Sequence, residues 1–248
     1  ESVVDKLNSG VTALLKRAKV KVVEGWANFS DAKTCTVQTA SGMVTIHAEH
    51  VILANGSKPV ELPFLPFAGN VISSTEALEL AELPKQLVVV GSGYIGLELG
   101  IAFSKLGTQV TIVEAQNQIL PLYVTKLVEP VRRWLDRNGV TLHLQAMALG
   151  LSSDGSALEI ETLQGERLAL PADKILVTVG RKPATDGWGL NEMALAMNGR
   201  FVQVDDRCAT STANVWAIGD LVGEPMLAHK ASAQGELVAE VIAGKRRR

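Results

Sequence analysis

The sequence predicts an α/β chain built around one strand, turn, helix and strand unit, and three observations carry that reading. Gln86 to Val90 is a short apolar run of the kind that forms a parallel strand covered on both faces. Gly91-Ser92-Gly93-Tyr94-Ile95-Gly96 follows at once, so the turn joins a strand to a helix. Thr108 to Val113 is a second apolar, β-branched run, and it ends on the acid Glu114.

Each glycine of the turn answers a separate demand. Gly91 makes the tight turn, Gly93 lets the backbone approach a pyrophosphate, and Gly96 lets helix and strand pack closely. The unpaired N–H groups that open the helix supply the positive end a pyrophosphate needs. Ile95, Leu99, Ala102, Phe103 and Leu106 recur at helical spacing, with Gly107 at the position of a C-cap. Glu114 lies eighteen positions after Gly96, close to the spacing of roughly 20 at which an acid bonds the adenosine ribose 2′-OH. A carboxylate accepts from that hydroxyl but repels a 2′-phosphate, and Ala115 to Leu120 holds no arginine or lysine. NAD is therefore expected over NADP, on Gly91, Ser92, Gly93, Tyr94, Ile95, Gly96 and Glu114.

A length of 248 residues leaves room for about two domains. The composition, 47% hydrophobic and 20% charged, is that of a globular protein. No apolar run reaches the roughly 18 residues of a membrane span, and no signal-peptide pattern opens the chain, so a soluble, cytoplasmic protein is expected. A net charge of −2 and an aromatic content of 4% give no reason to expect nucleic acid. The basic end, Lys245 to Arg248, reads as a solvated terminus. Cys35 and Cys208 stand alone, which indicates neither a metal site nor a local redox disulfide.

In chain order, Ser2 to Ala18 places Val4, Leu7, Val11, Leu14 and Leu15 at helical spacing and predicts an amphipathic helix packed on something. Val20 to Glu24 reads as a strand closed by Gly25. Thr34 to Thr39 and Met43 to His47 read as an antiparallel hairpin around Ser41-Gly42. His50 to Ala54 is a further strand, and His47 and His50 read as surface residues. Pro59, Pro63 and Pro66 mark a linker, Ser74 to Leu80 a short helix capped by Ser73 or Ser74, and Pro84 a domain boundary. Beyond Glu114 the pattern predicts a helix from about Val124 to Asn138, with Pro130 marking a kink or an off-register start. Val140 to Gln145 continues the sheet, with His143 as a core or edge residue. A hairpin of Ala157 to Leu163 and Arg167 to Leu170 turns at Gln164-Gly165, and Lys174 to Val179 is another buried strand. Phe201 to Val204, Val215 to Ile218 and a closing helix from Met226 to Ile242 complete the chain.

Five motifs in this order carry a resemblance: Val51-Ile52-Leu53-Ala54-Asn55-Gly56-Ser57, the turn from Gly91 to Glu98, Thr178-Val179-Gly180-Arg181-Lys182-Pro183, Ala217-Ile218-Gly219-Asp220, and Met226-Leu227-Ala228-His229-Lys230. Over almost its whole length the chain resembles the flavin-dependent pyridine nucleotide-disulfide oxidoreductases, and within them the dihydrolipoamide dehydrogenases that serve 2-oxo acid dehydrogenase complexes. The resemblance implies a Rossmann-like NAD-binding domain at 83–182, inserted between two parts of an FAD-binding domain at 1–82 and 183–248. It implies Met147 near the NAD adenine, Gly180 toward the nicotinamide, Glu98 beside it, and Tyr94 covering the flavin until NAD enters. For FAD it implies Asp220 on the ribityl hydroxyls, the Ala228 backbone at the isoalloxazine, the Ala27 backbone at the adenine, and Gly56 in the same set.

The intact family member oxidises dihydrolipoamide, passing electrons through a disulfide and FAD to NAD, as a homodimer that meets a lipoyl-bearing acyltransferase. The family's N-terminal glycine turn for FAD, its C-x-x-x-x-C pair and its C-terminal dimer domain with a His-Glu pair do not occur in these residues. Asn55 also stands where the family has threonine. The expectation is a fragment that begins within the flavin domain, stops before the dimer domain, lacks lipoamide activity and holds FAD weakly. Another flavin-disulfide reductase, an NADH oxidase, or an inert NAD-binding fragment are the alternative readings.

Overall fold

The computed structural model describes residues 2–245, so most of the basic end lies outside them. The chain forms two units, one of residues 58–182 and one built from the chain on either side of it.

The flanking unit begins with α1 (Ser2–Arg17), none of whose residues is buried. Its stripe of Val4, Leu7, Val11 and Leu14 is more than half exposed at each position, so the packing predicted for this helix is not made among the described residues. The strand predicted at 20–24 is instead β1 (Trp26–Phe29), paired antiparallel with β2 (Thr34–Thr39), which pairs with β3 (Gly42–His47). The reason is register: Trp26 already faces Gln38, and β2 turns into β3 just beyond it, so residues 20–24 run past the end of their would-be partner. β4 (Val51–Leu53) and the short β5 (Ser57–Pro59) lead out of this part.

Residues 58–182 open with β6 (Val71–Ile72) and α2 (Ser74–Leu78). Ser73 caps α2 in a capping box: Ser73 Oγ accepts from the Thr75 N–H at 3.1 Å, and Glu76 Oε2 accepts from the Ser73 N–H at 2.8 Å. Then follow β7 (Gln86–Val90), α3 (Tyr94–Lys105), β8 (Gln109–Glu114), α4 (Thr125–Arg137) and β9 (Thr141–Leu144). β10 (Ala146–Leu151), β11 (Ala157–Thr162) and β12 (Arg167–Pro171) form an antiparallel meander before β13 (Lys174–Val177). Pro130 lies in the second turn of α4, and the helix runs on to Arg137.

The parallel sheet has the order β6-β13-β7-β8-β9. From β7 the chain winds outward through β8 and β9, then returns to the other side of β7 at β13. That reversal falls at β7 and β13, and the crevice outside the carboxyl ends of strands at such a switch point is the place where sheets of this kind take ligands. β7 is buried on both faces, with Leu87 and Val89 in one core cluster and Val88 and Val90 in another, which explains its unbroken apolar run.

Three differences from the sequence reading have local causes. The unit begins at Lys58, well before Pro84, because Val71 and Ile72 add an edge strand to its sheet by pairing with β13. The strand predicted from Val140 to Gln145 is β9, which stops at Leu144 because Gln145 takes a positive φ of 53° and donates its N–H to the Gln116 carbonyl at 2.9 Å, after which β10 begins. In α3 the buried residues are Gly96, Leu97, Gly100 and Phe103, whereas Ala102 and Leu106 are exposed. Two glycines bring the helix close to the sheet, so the inward stripe runs through residues that a count of apolar side chains passes over.

After β14 (Arg181–Pro183) the chain rejoins the flanking unit with β15 (Met197–Asn198), β16 (Phe201–Val202), β17 (Val215–Ala217), a 3-10 turn at Gly219–Val222 and α5 (Ala228–Ile242). β17 pairs in parallel with β4. His47 is exposed, but His50 is half-buried, its ring 5.2 Å from that of Trp216, a contact across β4 and β17 that sequence distance hides.

Candidate functional site

The turn after β7 is built by exclusion. Gly91 has φ +95°, and a Cβ there would stand 2.8 Å from the Thr178 carbonyl oxygen, so both conformation and space demand glycine. A Cβ on Gly96 would overlap the Gly91 carbonyl oxygen and stand 2.5 Å from Thr178 Oγ1. Gly93 is different: its backbone, at φ −68° and ψ 178°, suits any residue, and a Cβ would meet nothing within 4 Å. Protein packing and backbone conformation therefore do not explain glycine at 93. Helix α3 opens at this point with no side-chain cap at Gly93.

Glu114 closes the site at the end of β8. It is 8% exposed, and three donors hold its carboxylate. Oε2 accepts from the Ser92 N–H at 2.8 Å and from Ser92 Oγ at 2.7 Å, and Oε1 accepts from the Gln116 N–H at 2.8 Å. Thr178, at the end of β13, donates its hydroxyl to the Val90 and Gly91 carbonyls at 3.1 and 3.0 Å, tying the two strands that flank the crevice. Sequence reasoning quoted Thr178 within a motif without giving it this role. Its signal is a small hydroxyl one residue past an apolar strand.

The remaining residues proposed for NAD lie around this centre. Ile95 is in the first turn of α3, and Tyr94 and Glu98 are exposed one helical turn apart. Met147, 56% exposed, follows Leu144, the residue that pairs with Glu114. Gly180, at φ +133° and open on its side-chain face, follows Thr178. A turn, an uncapped helix and a seated carboxylate with acceptor capacity left can hold a phosphate and a hydroxyl together, so the residues present fit a dinucleotide.

In the flanking unit, Ser57 Oγ donates to Asp220 Oδ2 at 2.5 Å, fixing a part-buried carboxylate in the 3-10 turn after β17. Gly56 accepts the Ala184 N–H at 2.9 Å, Ala27 pairs with Val37 in β1, and Ala228 is the exposed first residue of α5, which also opens without a side-chain cap. An anchored acid and an uncapped 15-residue helix fit a polyhydroxyl chain and an electron-rich ring. Cys35 and Cys208 are both buried, and burial raises both thiols, with the nearby Asp205 charge raising Cys208 further. Among the described residues no group of three or more His, Cys, Asp or Glu side chains could hold a metal ion, and no helix is long and apolar enough to cross a membrane.

A parallel sheet with a glycine turn at its reversal and a seated acid on the neighbouring strand fits a dinucleotide-binding class, and the family follows from comparison. The model of the pyridine nucleotide-disulphide oxidoreductases matches residues 2–235, and the chain belongs to that family, which depends on FAD and NAD. It is 56% identical over 248 residues to a dihydrolipoyl dehydrogenase of Pseudomonas aeruginosa, covering 100% of this chain and 53% of that relative. It is 44% identical over 246 residues to a dihydrolipoyl dehydrogenase of Geobacillus stearothermophilus, covering 98% and 52%. The chain thus spans about half the length of the curated relatives it matches. Among solved structures it is similar to the HOCl-induced flavoprotein disulfide reductase RclA from Escherichia coli, with a TM-score of 0.87, 29% identity and coverage of 100% and 56%. LpdA from Mycobacterium tuberculosis superposes with a TM-score of 0.86 at 26% identity, covering 100% and 55%.

Proposed function

We propose that these residues carry the NAD site, and part of the flavin site, of a dihydrolipoyl dehydrogenase-type oxidoreductase. The observation that carries the reading is Glu114, seated by Ser92 and Gln116 beside a glycine turn whose central glycine the protein's own packing does not require. In this reading the turn and the start of α3 receive the pyrophosphate, and Glu114 accepts from the adenosine ribose. Met147 lies by the adenine, with Gly180 and Glu98 toward the nicotinamide. Asp220, anchored by Ser57, accepts from ribityl hydroxyls, and the Ala228 backbone opens a helix whose positive end favours negative charge on the reduced ring. Ala27 and Gly56 contribute backbone to the same cofactor. Bound FAD supplies the two-electron relay between a disulfide and the nicotinamide. The whole protein would oxidise a lipoyl dithiol, act as a homodimer in the cytoplasm and meet a lipoyl-bearing acyltransferase. A different disulfide as substrate is the second reading, and the likeness to a flavoprotein disulfide reductase favours it.

The test is a pair of fluorescence titrations of the purified chain with NADH and NADPH. Preference for NADH supports the reading. Equal or tighter NADPH binding overturns the assignment of Glu114.

A further inference from the structure

Ser92 is 0% exposed, so its side chain does not reach a cofactor in the crevice. All of its hydrogen-bonding groups are engaged within the protein. Its N–H and Oγ both donate to Glu114 Oε2, and its carbonyl accepts the Leu120 N–H at 3.0 Å. Glu114 in turn is nearly filled: of the four or so acceptor positions of a carboxylate, Ser92 takes two and Gln116 one. The position left is on Oε1, enough for one hydroxyl.

We propose that Ser92 is a positioning residue for cofactor choice: it clamps Glu114 so that the acid presents one fixed acceptor to a ribose hydroxyl and cannot swing away from a 2′-phosphate. This inference rests on the NAD reading above. A carboxylate free to rotate could retreat from an added dianion and would be partly disordered when NADH arrives. A clamped one keeps its charge where the phosphate would sit, and its ordering cost is met in folding before any ligand binds. Selectivity then comes from a buried hydroxyl that touches neither cofactor.

The experiment is a double-mutant cycle with Ser92→Ala and Glu114→Gln, titrating NADH and NADPH by fluorescence and checking each variant by thermal melting. Loss of one charge-assisted hydrogen bond from the clamp should weaken NADH about tenfold and leave NADPH within about twofold or tighter, so the preference falls about tenfold. In the Glu114→Gln background, Ser92→Ala should change neither affinity. An unchanged NADH-to-NADPH ratio in Ser92→Ala, or an equal loss in both backgrounds, overturns the proposal while leaving the NAD site standing. An unmodified chain without NADH preference, or a Glu114→Gln change without effect, overturns the NAD reading and the clamp together. If Ser92→Ala does not fold, Ser92→Cys, close in size but a weak donor, gives the same comparison.

Discussion

Replacing Gly93 by alanine separates what the glycine turn does for the fold from what it does for a ligand. At φ −68° and ψ 178° the backbone is already extended, and the new methyl would meet no protein atom within 4 Å. Stability should therefore change by no more than about 0.5 kcal/mol, or rise by up to about 1 kcal/mol through lost freedom of the unfolded chain. At about 2 to 4 °C per kcal/mol for a chain of this size, the melting point should move by only a few degrees. Binding should behave differently, because the methyl would occupy the space through which a pyrophosphate reaches the backbone. Losing one charge-assisted bond of roughly 1.5 to 3 kcal/mol weakens NADH about ten- to a hundredfold. Gly96→Ala is the control, with its Cβ overlapping the Gly91 carbonyl oxygen and 2.5 Å from Thr178 Oγ1. Overpacking of that kind costs about 1 to 3 kcal/mol. Thermal melting with an NADH fluorescence titration on each variant decides the matter. A stable Gly93→Ala variant that binds NADH like the parent refutes the reasoning.

Glu114→Ala should weaken NADH about ten- to a hundredfold and narrow the gap to NADPH, as read by parallel titrations. The Ser73 hydroxyl and then the Ser73 N–H hold the Glu76 carboxyl below its ordinary 4.5, so its contribution to stability is complete above that pH and is lost as pH falls through the lowered folded value. Glu76→Gln should flatten that part of the curve in acid melts, and parallel curves for variant and parent would refute the assignment. Asp154 is held down to about 2 by the Ser152 hydroxyl, the Ser156 N–H and the Ser156 hydroxyl. Carboxyl NMR should show Asp154 titrating there, and Ser152→Ala should raise it. Cys35 and Cys208, buried and with raised thiols, should resist a disulfide reagent in the folded chain and react fully in denaturant. Rapid labelling of the folded chain would contradict their burial.

Much of the dinucleotide unit was legible because its signals are local. β7, the turn, α3, β8 and Glu114 are contiguous, and each demand acts on one or two residues. The sequence reading went astray where a residue's state depends on a distant partner. Val20 to Glu24 has strand composition, but only the register of Trp26 on Gln38 shows that no partner strand extends alongside it. Gln145 looks like a strand residue until its bond to the Gln116 carbonyl turns the chain. The candidate site's wiring was not legible. Glu114 can be chosen from spacing, but nothing in the spacing says that Ser92 faces inward and spans 22 positions to hold it. Thr178 and Ser57 fall in the same class, since each acts on a residue more than eighty positions away.

The parallel pair of β4 and β17 has a consequence for how the chain is made. Val51 and Val215 sit side by side although 164 positions separate them. At about 5 to 20 residues per second of synthesis, β4 leaves the ribosome roughly 10 to 30 s before its partner exists. The intervening unit eases the later search, because Val60 donates to the Gly180 carbonyl at 3.0 Å and so brings its two ends together once it has folded. The loop that β4 and β17 must close then shrinks to roughly a quarter of its length, which lowers the entropic cost by about 1.2 kcal/mol. Residues 58–182 should thus mature first, and the nascent chain is most exposed to aggregation while Val51-Ile52-Leu53 waits with unpaired backbone.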